Sequence, residues 1–215
     1  MIRHKAVFQG GRGEIVEKKS RFIAHVQAVE TVDEAQEFIE AVKKQYWDAR
    51  HNCSAFSVGE TNPLTRCSDD GEPGGTAGKP ILEVIQGSGI RNIVIVVTRY
   101  FGGTLLGTGG LVRAYTDAAK AGIENSVIIE KIPGTRIKIL TEYTDLGKIQ
   151  YLLAQNQVTV ENTEYTDKVV IHALFPDEEK EFLRKALTEG TGGRVVLEEG
   201  ENVYYGLAEG EVVIF

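Results

Sequence analysis

The fold is decided by a stretch in which an uninterrupted run of β-branched residues leads into a glycine-rich loop, Ile93-Val94-Ile95-Val96-Val97-Thr98-Arg99-Tyr100-Phe101-Gly102-Gly103-Thr104-Leu105-Leu106-Gly107-Thr108-Gly109-Gly110. The run before Thr98 predicts a strand that is buried on both faces. Small and apolar residues then recur every three or four positions from Leu111 to Glu124, which is the helical period. The stretch therefore predicts a buried strand, a shaped loop and a helix.

A second glycine-rich loop precedes this stretch, Asp69-Asp70-Gly71-Glu72-Pro73-Gly74-Gly75-Thr76-Ala77-Gly78-Lys79-Pro80. Each glycine costs about 0.5–1 kcal/mol relative to alanine in regular structure, so a folding core has little use for so many beside charged residues. Consecutive glycines before a helix can direct several N–H groups at one anion, and the helix dipole adds about half a positive charge there. The two loops therefore predict a shaped backbone surface, with anion-binding N–H groups where the 98–110 loop leads into its helix.

Basic and aromatic side chains complete this candidate site. The predicted nucleic-acid or anion-binding residues are Arg66, Lys79, Arg99, Tyr100, Gly102, Gly103, Gly107, Gly109, Gly110 and Arg113. In this hypothesis Arg99 and Arg113 contact phosphate, the 102–110 backbone shapes the site, and Tyr100 stacks on a base. The alternative is that the aromatic residues close the core while the arginines pair with nearby carboxylates.

Three carboxylates lie within four residues at Asp69, Asp70 and Glu72. They are compatible with a turn, with orientation of the arginines, with a bound cation of unassigned identity, and with acid–base catalysis. Neither glycine-rich loop contains a histidine or serine that would complete a nucleophile–base pair. The sequence therefore predicts no catalytic residue here.

Two nucleotide-binding motifs fail at defined positions. Lys79 follows Gly78, but Pro73 occupies the position of the first P-loop glycine and Pro80 that of the magnesium-binding hydroxyl residue. The dinucleotide-binding pattern fails because Val112 occupies the position of its third glycine. We therefore expect no cofactor.

Charge divides the 215-residue chain into two parts. Residues 1–133 contain 16 Lys and Arg against 16 Asp and Glu, whereas residues 134–215 contain 8 against 15 and carry the whole net charge of −7. This asymmetry at Pro133-Gly134 predicts domains at 1–133 and 134–215. Without a long apolar run or an apolar N-terminal segment, we expect a cytoplasmic protein with no membrane partner.

Local patterns predict the remaining elements. In the first domain, strands are expected over 14–18, 21–29, 50–58 and 127–132, with a helix capped by Thr31 and a short one from Pro80 to Gly87. In the second, strands over 136–140, 158–165, 168–174 and 194–197 and helices over 145–155 and 177–189 give the order β-α-β-β-α-β. An edge strand is expected within 203–215. The predicted fold class is therefore α+β.

The two cysteines, Cys53 and Cys67, fit no metal-binding spacing, so we expect reduced, structural thiols.

The quoted motifs resemble those of the IMPACT family, particularly its two-domain bacterial members. They are Asp-Asp-Gly-Glu-Pro at 69–73, Gly-Thr-Ala-Gly-Lys-Pro at 75–80, Thr-Arg-Tyr-Phe-Gly-Gly at 98–103 and Leu-Val-Arg-Ala-Tyr at 111–115, with further similarity at 20–24 and 50–53. The resemblance implies a mixed α/β first domain like the fourth domain of elongation factor G and a ferredoxin-like second domain similar to that factor's fifth. It also implies a role at the ribosome or in translational control, and it brings no catalytic residues.

The leading hypothesis is a non-enzymatic protein that regulates translation by binding RNA or a ribosomal surface through the two glycine-rich loops, with a protein partner in translational control also possible. One alternative is a metal-dependent hydrolase that uses the 69–72 carboxylates. Another is a protein-interaction module that acts through the acidic C-terminal domain.

Overall fold

The computed structural model describes residues 1–208 and 210–215, and it divides into two compact units. One unit comprises His4–Glu130, and the other comprises Lys131–Phe215 together with Met1–Arg3. The sequence-based boundary after residue 133 lies three residues beyond this division. Within the described ranges, no helix is long and apolar enough to cross a bilayer.

The first unit contains most of the strands and three helices. Its elements are β1 (His4–Gln9), β2 (Arg12–Glu17), β3 (Ser20–Ala28), α1 (Val32–Gln45), β4 (His51–Val58), β5 (Leu64–Ser68), α2 (Gly78–Ser88), β6 (Ile90–Arg91), β7 (Ile93–Tyr100) and α3 (Thr108–Glu124). A five-stranded antiparallel sheet has the order β2-β3-β7-β4-β5, while β1 pairs with β6 in parallel. The short strands β1, β5 and β6 were not expected from the sequence.

Strand β7 lies at the centre of the five-stranded sheet and is buried on both faces, as predicted. Residues 93, 95 and 97 pack with α2 and α3 in one core cluster, whereas Val94 and Val96 pack with α1 in another. Because helices cover both faces, the strand contains no polar alternation until Thr98.

Two helix starts show how the caps are supplied. The Thr31 side chain accepts a hydrogen bond from the Glu34 backbone N–H at 3.1 Å, which confirms the predicted cap of α1. Helix α2 begins at Gly78, two residues before the predicted start at Pro80, because the Asp69 carboxylate caps it from outside. It continues through Ser88 and ends at Gly89 (φ 70°) rather than at the predicted Gly87.

The second unit has the predicted β-α-β-β-α-β order. It contains most of β8 (Val127–Thr141), α4 (Tyr143–Gln155), β9 (Thr159–Tyr165), β10 (Val169–Pro176), α5 (Lys180–Gly190), β11 (Val196–Ala208) and β12 (Glu211–Ile214). Antiparallel pairing gives the order β9-β10-β8-β11-β12, and α4 and α5 contribute to one core with the sheet. This confirms the α+β class and the split βαβ topology. The likeness to domains of elongation factor G stays a prediction.

Strand β8 is continuous where the sequence predicted two strands, over 127–132 and 136–140, separated at Pro133-Gly134. Both residues lie within the continuous strand β8. Because Gly134 has no side chain, the Tyr205 ring and the Phe175 carbonyl group pack directly against its backbone. A Cβ atom at residue 134 would lie 2.7 Å from Cε1 of Tyr205 and 2.8 Å from the carbonyl oxygen of Phe175. The glycine therefore serves packing rather than a turn. Strand β11 is likewise longer than predicted, with a register shift between Glu199 and Asn202.

We expect Gly134→Ala to destabilise the second unit by about 1–3 kcal/mol, because the added methyl group overpacks the contact with Tyr205 and a backbone carbonyl. Urea unfolding of the full chain measures the loss. Gly147→Ala is the matched control, since a Cβ at that position in α4 meets nothing within 4 Å and should cost no stability. Equal effects of the two substitutions would contradict this account of Gly134.

Candidate functional site

Four loops of the first unit lie at one end of the five-stranded sheet. The register pairs that align the strand ends are Glu17–Ser20, Arg21–Tyr100, Arg99–His51 and Ser54–Ser68. These pairs bring together the connections 18–19, 46–50, 69–77 and 101–107, and helices α2 and α3 begin there. We call this region the loop end. It contains both glycine-rich loops that the sequence singled out.

A buried ion pair lies beneath the loop end. Nη1 of Arg99 is 2.6 Å from Oε1 of Glu72, and the Tyr115 hydroxyl donates a hydrogen bond to the same oxygen at 2.7 Å. Arg99 is only 6% exposed. Nε2 of His51 lies 3.9 Å from the other Glu72 oxygen. Two charges removed from water need this pairing, and Glu72 therefore holds the Arg99 guanidinium in place.

The Asp69 carboxylate caps the N-terminus of α2. Oδ1 accepts from the backbone N–H groups of Ala77 (3.1 Å) and Gly78 (2.8 Å), and Oδ2 accepts from Gly75 (2.8 Å). Burial alone raises the pKa of Asp69, but the three backbone hydrogen bonds together lower it below its ordinary value. Three backbone N–H groups of the 69–80 glycine-rich loop are therefore already occupied by the protein's own carboxylate.

Asp70 has a third set of partners. Its Oδ2 accepts from the backbone N–H of Asn52 at 2.7 Å, and its Oδ1 lies 3.3 Å from Nζ of Lys43. The carboxylates of Asp69, Asp70 and Glu72 thus bind separate protein donors. Across residues 1–208 and 210–215, no three His, Cys, Asp or Glu side chains are arranged to hold a metal ion. The geometry thus gives no support to a cation at the 69–72 carboxylates.

The thiol of Cys53 lies in the same buried cluster, 3.0 Å from the Asp69 carbonyl oxygen and 3.4 Å from the Tyr115 hydroxyl. Burial raises the pKa of the Cys53 thiol and of the Tyr115 phenol far above their ordinary values. Both groups therefore stay protonated at neutral pH. A protonated, buried thiol is a packing group rather than a nucleophile.

The 98–110 glycine-rich loop begins with two adjacent aromatic rings in different surroundings. The Tyr100 hydroxyl donates to Asp48 at 2.8 Å, and the Arg21 guanidinium lies 5.8 Å from the centre of the Tyr100 ring. The next residue, Phe101, is 52% exposed. Phe101 is therefore the more exposed of the two rings, since Tyr100 is half-buried.

The loop is fixed to the turn between β2 and β3. The Gly102 N–H donates to Oγ of Ser20 at 3.1 Å, and a Cβ on Gly102 would lie 2.0 Å from the carbonyl carbon of Lys19. Lys18 and Lys19 form that turn with φ values of 46° and 66°. Gly102 therefore permits a contact that places two exposed lysines beside the loop.

The remaining predicted residues lie in different surroundings. Gly103, Gly107 and Gly109 are exposed, Gly110 is half-buried, and α3 has no side-chain hydrogen bond at its Gly107 cap. Arg113 and Lys79 are exposed near the starts of α3 and α2. In the antiparallel pairing of β4 with β5, Arg66 lies directly opposite Phe56, so both side chains are on the same face of the sheet. Phe56 packs with α1, which places Arg66 on the face opposite α2 and α3.

Several exposed residues at the loop end were missed by the sequence analysis. Trp47 and Leu105 are each 82% exposed. Trp47 lies two residues after the end of α1 and is not part of its apolar face, which was the available signal in the sequence. The Lys18-Lys19 turn was another signal, because left-handed turn positions favour glycine or asparagine over lysine.

Comparison with known proteins covers both units. Residues 18–123 match the Impact N-terminal domain, and residues 139–194 match a domain of unknown function, DUF1949. The chain is 41% identical over 198 residues to the IMPACT family member YvyE of Bacillus subtilis, which covers 92% of this chain and 91% of YvyE. It is 40% identical over 161 residues to the IMPACT family member YigZ of Escherichia coli, covering 74% of this chain and 79% of YigZ.

A solved structure is also similar to this chain over nearly its whole length. The crystal structure of a hypothetical protein aligns with a TM-score of 0.60 at 34% identity, covering 94% of this chain and 98% of that one. The similarity therefore extends to both units of the fold.

Proposed function

The chain belongs to the IMPACT family, and from this premise we propose that it is a cytoplasmic, translation-associated regulatory protein that binds RNA at the loop end. The family resemblance supplies the link to translational control. The loop end supplies the chemistry of binding. The ligand is the RNA component of a ribosomal surface or a free RNA, since both present the same phosphates and bases.

The observation that carries the proposal is the coincidence of exposed basic and apolar side chains at the loop end. The exposed basic residues are Lys18, Lys19, Arg50, Lys79 and Arg113, and the exposed apolar residues are Trp47, Phe101 and Leu105. Proteins that bind single-stranded nucleic acid combine basic residues along the backbone with aromatic rings against the bases. The loop end has both components.

The acidic residues of this region do not cancel the basic ones. Arg99 and Lys43 offset the charges of Glu72 and Asp70, and the Asp69 carboxylate is turned toward backbone N–H groups. Glu17 and Asp48 are exposed, but the exposed basic residues outnumber them. The charge that faces solvent here is therefore predominantly positive, although the whole chain carries −7.

Removing three of these positive charges tests the proposal. The variant Lys18→Asn, Lys19→Asn, Arg113→Gln keeps residues that tolerate the left-handed turn at 18 and 19. Each phosphate contact contributes about 0.7 to the slope of log K against log salt for single strands, so we expect the slope to fall by about 2. Anisotropy of labelled single-stranded RNA across a salt series, with sedimentation of ribosomes, measures this change.

The control removes the same charge elsewhere. Lys5→Gln, Lys120→Gln, Lys185→Gln neutralises three exposed lysines outside the loop end and should leave the slope unchanged. Equal losses in both variants would place the binding elsewhere. If the wild-type protein binds neither RNA nor ribosomes at low salt, the RNA proposal falls, and capture of a protein ligand by the acidic C-terminal unit becomes the favoured alternative.

A further inference from the structure

Arg99 connects a buried aromatic ring to an exposed one. Its Cζ atom lies 5.4 Å from the ring centre of Phe22, which is completely buried, and 5.7 Å from that of Phe101. Both distances lie within the range of cation–π attraction. The guanidinium therefore holds Phe101 against the core while much of its ring remains in solvent.

The position of Arg99 is itself fixed from the other side. Glu72 receives its Nη1 hydrogen bond, Tyr115 holds the same carboxylate oxygen, and the Tyr115 ring contacts Phe22 edge to face at 5.1 Å between ring centres. Nε of Arg99 is buried and has no hydrogen-bond partner in the described part of the chain. An arginine enclosed in this way is poorly placed to contact phosphate, but it is well placed to orient a neighbouring ring.

The loop after Phe101 limits its movement as well. The Gly102 N–H donates a hydrogen bond to Oγ of Ser20, and Gly102 lies against the backbone of Lys19. The residue that follows Phe101 is therefore fixed to the β2–β3 turn. A ring that is already oriented loses little freedom on binding, which favours affinity. Exposed Lys18 and Lys19 on that turn supply nearby charge for a phosphate backbone.

We propose that Phe101 is the stacking platform for an unpaired base, so that the ligand class is single-stranded or looped RNA rather than duplex. This inference rests on the proposed RNA-binding function and specifies its ligand. Bases within a duplex are stacked on one another and do not offer a free face, whereas unpaired bases stack on exposed aromatic side chains. In this assignment Arg99 is a positioning residue, in place of the phosphate contact expected from the sequence.

The test compares Phe101→Leu with wild type on three labelled probes: a short single-stranded oligoadenylate, a ribose-phosphate oligomer of equal length without bases, and a duplex. Leucine keeps an apolar side chain but removes the aromatic face. We expect binding of oligoadenylate to weaken on the order of tenfold, with no change for the probe without bases. We also expect Phe101→Trp to bind as wild type does, and wild type to prefer the single strand over the duplex.

A second readout separates stacking from a structural effect. A 2-aminopurine base placed in the oligomer should be quenched by wild type and by Phe101→Trp but not by Phe101→Leu. Phe182→Leu, at an exposed phenylalanine of α5, is the control and should leave all three affinities unchanged. If Phe101→Leu binds oligoadenylate as tightly as wild type does, or if wild type binds the duplex equally well, this inference is wrong while the RNA-binding function stands. If none of the probes binds, both are wrong.

Discussion

Glu72→Ala is expected to destabilise the first unit by about 3–5 kcal/mol, because it leaves the charge of Arg99 buried without its partner. The Tyr115 hydroxyl loses its acceptor at the same time. Denaturant unfolding of the full chain measures the change. The loss should exceed that of any surface substitution in the same unit.

Two further variants separate the causes of this loss. Glu83→Ala, at an exposed carboxylate of α2, is the control and should change stability by less than about 0.5 kcal/mol. The double variant Glu72→Ala, Arg99→Met removes both charges together and should recover part of the loss, since an apolar replacement of a buried pair is often tolerated. A loss for Glu72→Ala as small as that of the control would show that the pair does not stabilise the fold.

Asp69→Ala is expected to cost about 2–3 kcal/mol, because three backbone N–H groups at the start of α2 lose their acceptor. The effect should depend on pH. Hydrogen bonds lower the pKa of Asp69 in the folded state, so the stabilisation is complete above the ordinary aspartate pKa of about 3.9 and is lost as the pH falls through the folded value. Urea unfolding between neutral and acidic pH measures both effects.

The control for Asp69 is Asp117→Ala, at an exposed position of α3. The difference in stability between wild type and Asp69→Ala should shrink as the pH is lowered, whereas the difference for Asp117→Ala should stay small throughout. A loss for Asp69→Ala that is the same at neutral and acidic pH would contradict the role of the ionised carboxylate.

These two carboxylates also explain why an acidic cluster lies within a candidate RNA interface. Asp69 and Glu72 are turned toward backbone N–H groups and toward Arg99, so their charges support the loops from beneath. The sequence alone presents them as neighbours of the basic residues, with several roles open. Their hydrogen-bond geometry assigns them to the support of the site rather than to its solvent-facing surface.

The parts of the fold that local patterns control were predictable. The β-branched run at 93–97 became the central buried strand, Thr31 capped α1, and the second unit followed the β-α-β-β-α-β order. Each of these signals depends on residues that are close in sequence. The gap expected between strands 127–132 and 136–140 was wrong, because the reason for Gly134 lies in its contact with Tyr205, far along the chain.

The candidate site was predictable as a region but not in its detail. Both glycine-rich loops lie together at the loop end, and Arg113 is exposed there. The sequence-based hypothesis named Tyr100 as the stacking ring, but the sequence gives no reason to prefer it over Phe101, because both are aromatic and adjacent. The orientation of the two rings depends on Asp48, which accepts a hydrogen bond from Tyr100, and on Arg99, whose guanidinium contacts the Phe101 ring.

By itself the sequence determined the buried strand, the helix periods and the charge difference between the two parts of the chain, since these properties belong to neighbouring residues or to simple composition. Only the tertiary structure decided that Arg99 is buried against Glu72, that Asp69 caps α2, and that the 18–19 turn lies beside the 101–107 loop. The physical reason is that each of these contacts joins groups separated along the chain. Their pairing exists only after the strands are in register.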